Sequence, residues 1–113
     1  MTLDLDDVQT LATALAAAER ETTSWTHERV FHTEVAEDLV AAGWRATAGA
    51  AADPADDVHE LAVAMRAAEH RHTSFQHTIA YFVPAAELLI ERGVGRAERI
   101  SAPVAAYALV STR

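Results

Sequence analysis

The segment from Asp6 to Gly43 occurs twice. Shifted by 50 positions it lies on Asp56 to Gly93 without a gap, and 16 of 38 positions are identical. The shared residues include Asp6-Asp7-Val8 and Asp56-Asp57-Val58, the Ala-Ala-Glu ending at Glu19 and Glu69, and the Thr-Ser pairs Thr23-Ser24 and Thr73-Ser74. They continue with His27/His77, Leu39/Leu89 and the closing Gly43/Gly93, while Leu15/Met65, Trp25/Phe75, Phe31/Tyr81 and Val40/Ile90 are like-for-like pairs. A repeat of this length is one supersecondary unit copied, so what one half forms the other forms too.

Within the first copy Val8, Leu11, Ala12, Leu15 and Ala18 follow the i, i+3, i+4 spacing of an amphipathic helix, and Ala favours that conformation. The pattern predicts a helix over 7–21, with Asp6 and Asp7 at its positive end. Thr22, Thr23 and Ser24 interrupt it and are suited to capping the next helix. That helix is expected over 25–42, with His27, Phe31, Val35, Leu39 and Ala42 on one stripe and Gly43 as its left-handed stop. A turn of three residues would then join two antiparallel helices. The second copy predicts the same: Pro54, a capping-box spacing at Asp57 and Glu60, the stripe Val58, Leu61, Ala62, Met65 and Ala68, a turn over 70–74, and a helix over 75–91 ended by Gly93. Pro84 replaces Glu34, so the fourth helix should be kinked near Val83 or divided in two.

The expected fold is therefore all-α: two tandem helical hairpins (6–43 and 56–93), a linker at 44–55, and a four-helix bundle with pseudo-two-fold symmetry in a single domain. After Gly93 the pattern is lost. The tail 94–113 carries Ile100, Val104, Tyr107, Leu109 and Val110, and 104–110 reads as a short strand or extended arm. In an up-down-up-down bundle both hairpin turns fall at one end, so their polar residues can meet.

Glu19 and Glu69 project into the apolar stripes of their helices, in the last turn, where both burial and the helix dipole disfavour a carboxylate. Each needs a compensating partner, and His27 and His77 are the candidates. One reading is a hydrogen bond that locks each turn. The other is a metal site of Glu19, His27, Glu69 and His77, since two imidazoles and two carboxylates suit zinc or another first-row ion. No Glu-x-x-His, the signature of carboxylate-bridged bundles, is present. His70 and His72 read as solvated turn residues, His32 and His59 as exposed. Asp4, Asp6, Asp7, Asp53, Asp56 and Asp57 cluster at the other end as helix caps.

Other chemistry finds little support. The chain has no cysteine, no Gly-rich phosphate loop, no Gly-x-Ser-x-Gly and no His-Glu-x-x-His. Ser24 and Ser74 precede His27 and His77 by three, but a cap explains them. The net charge is −8 and all nine basic residues are Arg, which argues against direct binding to a nucleic-acid backbone. The second helix carries Glu28, Glu34, Glu37 and Asp38 against Arg29, unlike a DNA-recognition helix. No apolar run approaches a membrane span and the acidic start is unlike a signal peptide. Arg without Lys, with abundant Ala, suits a GC-rich genome, bacterial or phage.

The expectation is a non-enzymatic interaction or assembly module, cytoplasmic or virion-borne, whose partner is a protein and which tends to homo-oligomerise. Trp25, Trp44, Phe75, Phe82 and Tyr107 read as core. Trp44 either covers the bundle end or is a docking anchor, and with Tyr107, Leu109 and Val110 it makes the candidate partner surface. No cofactor is expected beyond a divalent metal in the alternative reading. A mimic of nucleic acid, using rows of carboxylates, is the third reading.

Overall fold

The computed structural model describes residues 5–47 and 54–96. Its elements are α1 (Leu5–Thr22), α2 (Arg29–Ala41), β1 (Trp44–Arg45), α3 (Pro54–His72), α4 (Ile79–Glu91) and β2 (Gly95–Arg96). The described part is mostly helical, as the periodicity requires. Asp4, Asp53, the centre of the linker and the tail with Tyr107, Leu109 and Val110 lie outside the described residues.

The apolar stripes become the core. Val8, Leu11, Ala12, Leu15 and Ala18 of α1 are buried, as are Leu61, Ala62, Met65 and Ala68 of α3, with Val58 at its edge. α1 packs on α2 and α4, and α3 packs on α4 and α2. Leu11, Leu39, Leu61 and Leu89 are wholly enclosed, so truncating any one to Ala should cost about 2–5 kcal/mol. The small Ala12, Ala18, Ala36, Ala62, Ala68 and Ala86 lie buried between them, which lets the helices approach closely.

Both second helices start later than the stripe predicts, α2 at Arg29 rather than Trp25 and α4 at Ile79 rather than Phe75. The connections are consequently loops over 23–28 and 73–78. The cause is local. The backbone N–H of His27 donates to Glu19 Oε1 at 2.8 Å, and that of His77 to Glu69 Oε1 at 2.7 Å. Glu28 and Thr78 then precede their helices in extended conformation with no side-chain cap. Thr23 and Thr73 do not cap the following helix. Their hydroxyls donate back to the carbonyls of Glu19 and Glu69 at 3.0 and 2.9 Å, finishing the helix before. Ala42, at the end of α2, is exposed rather than on the stripe.

The acids expected as N-caps sit inside the first turns: Asp6 and Asp7 in α1, Asp56 and Asp57 in α3. Pro54 opens α3, where its missing N–H is no loss. α4 runs through Pro84 as one helix, not two pieces. Pro84 lies beyond the first four N–H groups of the helix, so the intrahelical bond to the Ala80 carbonyl is forgone there.

Gly43 and Gly93 have φ of 99° and 103°, the left-handed stop the sequence predicts. At α4 the stop is complete, with Gly93 N–H on Ile90 O at 3.1 Å and Val94 N–H on Leu89 O at 3.0 Å. The repeat does not end at Gly93. Val94 is buried in Trp44's place in the second copy, and β1 pairs with β2 antiparallel, Trp44 opposite Arg96 and Arg45 opposite Gly95. So the ends of the supposed linker and tail are ordered parts of the two halves. Trp44 is 1% exposed, and the Arg96 guanidinium covers its ring at 4.5 Å. Among the described residues no helix is long and apolar enough to cross a membrane.

Candidate functional site

The loops 23–28 and 73–78 meet, and the polar residues they position form one buried cluster. Each glutamate enters from the last full turn of its helix and clasps the histidine eight residues on. Glu19 Oε1 accepts the His27 backbone N–H, and its Oε2 accepts His27 Nδ1 at 2.5 Å. Glu69 does the same with the backbone and Nδ1 of His77. The clasp needs a carboxylate at the helix end and an imidazole after a short extended stretch, which is what the repeat conserves between its copies.

The two clasps are joined by one ring. His27 Nε2 donates to Glu69 Oε2 at 2.8 Å while its Nδ1 donates to Glu19. A carboxylate oxygen only accepts, so both nitrogens carry protons and His27 is an imidazolium between two carboxylates. It is buried, and the Phe31 ring stacks on it at 3.6 Å. Burial alone would lower its pKa, but the bonds and charges of Glu19 and Glu69 outweigh that and raise it.

Glu19 collects further donors. His32 Nε2 lies 2.9 Å from its Oε1, and the Tyr81 hydroxyl donates to its Oε2 at 2.8 Å. Burial would raise the Glu19 carboxyl, yet donation from His27, His32, the His27 N–H and Tyr81 holds it far below the usual carboxylate range. Glu69, 0% exposed, is lowered in the same way: burial is outweighed by His77, its N–H and His27. The Tyr81 hydroxyl, half-buried and bonded to a carboxylate, is pushed up to about 12.

Of the four residues proposed for a metal, His27, Glu69 and His77 have ligand atoms all within 4.8 Å of one another. Glu19 stands on the far side of the His27 ring, holding Nδ1. His32, expected exposed, is 6% exposed. Its spacing to Val35, Ala36 and Leu39 sets it on the inward face of α2. Tyr81 was legible only as Phe31's counterpart with an added hydroxyl. His59 is exposed as expected. His70 and His72 belong to the last turn of α3 and are not solvated loop residues. His72 faces Asp38 at 2.9 Å and Glu34 at 3.3 Å across the repeat boundary, and His70 Nε2 is buried without a hydrogen-bond partner among the described residues.

Trp25 and Phe75 are not core. They are 44% and 48% exposed and meet edge-to-face at 5.2 Å, roofing the cluster, with Trp25 4.7 Å from the His27 ring. No hydrogen bond joins Ser24 to His27 or Ser74 to His77 among the described residues. No family model, no curated protein and no solved structure matches the chain.

Proposed function

We propose that the protein is a non-enzymatic, acidic protein–protein interaction module. In this reading two copies of one hairpin close as a four-helix bundle about a pseudo-two-fold axis, and the end bearing the paired loops is the contact surface. The observation that carries it is the Trp25–Phe75 pair: two large aromatics at matching positions, half-exposed and in mutual contact. Aromatic residues are favoured at the centres of interfaces. The clasps beneath fix the loops, so little order is lost on docking.

A second copy of the chain is the partner this surface suits. The protein carries −8 overall, so two copies repel over most approaches. The loop segments 22–28 and 72–78 hold a single carboxylate, Glu28, and no arginine. Loop end to loop end is thus the approach with the least repulsion. Such a module fits an assembly role in a cytoplasm or a virion. Sedimentation velocity across a wide concentration range tests it. A concentration-dependent dimer, lost on replacing Trp25 and Phe75 by Ser with the melting temperature unchanged, is expected. A wild-type chain that stays monomeric throughout would contradict it.

A metal centre is the second reading, favoured by the convergence of His27, Glu69 and His77. Glu19 would then orient His27 through Nδ1, the usual outer partner of a metal-bound imidazole. An ion would have to displace the His27–Glu69 bond and the proton on Nε2. Zinc retained after dialysis, lost in His77→Ala, and a rise in melting temperature with zinc would support it. No retained zinc and no thermal shift would end it. The nucleic-acid mimic has less behind it. Asp7, Glu21, Asp38 and Glu60 each pair with an arginine (Arg45, Arg92, Arg71 and Arg96) rather than forming an unbroken acidic row.

A further inference from the structure

We infer that the cleft between α1 and α2 is a binding site for the phosphate or carboxylate group of a small organic anion. The cleft has a volume of about 310 Å³, and its lining includes Arg20, Arg29, His32, Thr13, Thr33 and Gln9, with no Asp or Glu. That is a cationic lining on a chain of net charge −8.

Three independent features point to a ligand. First, neither Arg20 nor Arg29 makes a hydrogen bond or a close ion pair among the described residues, Arg20 acting on Glu21 through its charge alone, whereas Arg45, Arg71, Arg92 and Arg96 each have a carboxylate partner. Arg66, away from this cleft, also has an Nε without a hydrogen-bond partner among the described residues. Two unengaged guanidinium groups on one cleft match the planar fork that recognises oxyanions. Second, His32 is more than nine-tenths buried. Its Nε2 is committed to Glu19, and its Nδ1 has no hydrogen-bond partner among the described residues. Nδ1 is not among the buried side-chain atoms sealed without a partner, so it has access to the cleft that its ring lines. Donation from Nδ1 to an anion there requires the doubly protonated ring, since Nε2 already donates to Glu19. Third, the cleft takes in Thr26 and Arg29 at the start of α2, a helix whose N-cap supplies no side-chain hydrogen bond. Backbone N–H groups at such a start favour an anion.

The duplication provides an internal control. The positions 50 residues on from Thr13, Arg29, His32 and Thr33 are Val63, Ile79, Phe82 and Val83. The positions on from Gln9, Ala16 and Arg20 are His59, Arg66 and His70, so the second copy keeps polar groups on its first helix and turns apolar at its second, where Arg29, His32 and Thr33 have no polar counterpart. The volume lies at the small end for small-molecule sites, which suits a compact monoanion or dianion rather than a nucleotide.

The test is an NMR titration of the full chain with inorganic phosphate, and separately with citrate, against sodium chloride at matched ionic strength. Saturable shifts of the His32 ring and of the Arg20 and Arg29 side-chain N–H signals are expected with phosphate or citrate and not with chloride. Whichever of the two saturates identifies the anionic group. Arg29→Gln and Arg20→Gln should each weaken binding by about tenfold, the loss of a charge-assisted hydrogen bond, at an unchanged melting temperature. Both should leave any Trp25/Phe75-dependent association intact, so the two proposals fail separately. Shifts that never saturate, that chloride reproduces, or that survive both substitutions would overturn the site.

Discussion

Glu19–His27 and Glu69–His77 are the same clasp on the same loop, set in different surroundings. His27 is buried, with both ring nitrogens bonded to carboxylates. The His77 side chain is 29% exposed, and beyond its Nδ1 bond to Glu69 it makes no ring hydrogen bond among the described residues. The carboxylates differ as well, through two positions. The first copy has Phe31-His32 where the second has Tyr81-Phe82, and both polar atoms, His32 Nε2 and the Tyr81 hydroxyl, turn toward Glu19. Glu19 thus has four donors and Glu69 three. Duplication supplied two equal clasps. The differing neighbours give Glu19 its two extra donors, while the His27–Glu69 bond joins the two clasps.

The largest expected contrast is between His27→Ala and His77→Ala. Removing the His27 ring takes one charge-assisted bond from each of two buried carboxylates, which should cost about 3–5 kcal/mol in chemical denaturation. Removing the half-buried His77 should cost about 1 kcal/mol. Equal losses would break the comparison. Next come Tyr81→Phe and His32→Phe. Each removes one hydrogen bond to the Glu19 carboxylate and should cost about 1.5–3 kcal/mol, whereas Phe31→Leu should disturb only the stacking on His27.

Stability against pH sharpens the contrast. Glu19 and Glu69 are lowered from 4.5, so their contribution is complete above that value and is lost as acid titrates them through their lowered pKa. His27 is raised from 6.5, so its contribution is complete below 6.5 and is lost as pH rises through the raised value. Thermal melts should therefore show a maximum between these two reference values and a decline on the alkaline side. His77→Ala should keep that alkaline decline, and His27→Gln should lose it. The smallest effect is expected at the roof. Trp25→Ser and Phe75→Ser remove half-exposed rings and should each change stability by under about 1 kcal/mol.

The helices and their buried faces were legible because periodicity records which side meets the core. Leu11, Leu39, Leu61 and Leu89 are where the stripe puts them. The pairing of Glu19 with His27 was legible too, since a carboxylate on an apolar face demands a partner. The helix starts were not, because periodicity cannot register a backbone N–H diverted to a side chain. His32 lies off the stripe through His27 and Phe31 but at helical spacing to Val35, Ala36 and Leu39, and Trp25 and Phe75, expected as core, fall in the loops before α2 and α4. The bridge from His27 to Glu69 was also hidden: it depends on how two hairpins seat against each other, which no spacing within one copy encodes. Neither the short β1–β2 pair nor Val94 carried a signal, being two residues or fewer where identity between the copies has already lapsed.

Nitrogen-15 NMR of the histidine rings at neutral pH bears most directly on the bridge. Both His27 nitrogens should be protonated, with two slowly exchanging N–H signals and coupling to Glu19 and Glu69. A His27 ring with one bare nitrogen, titrating like a free imidazole, would contradict it.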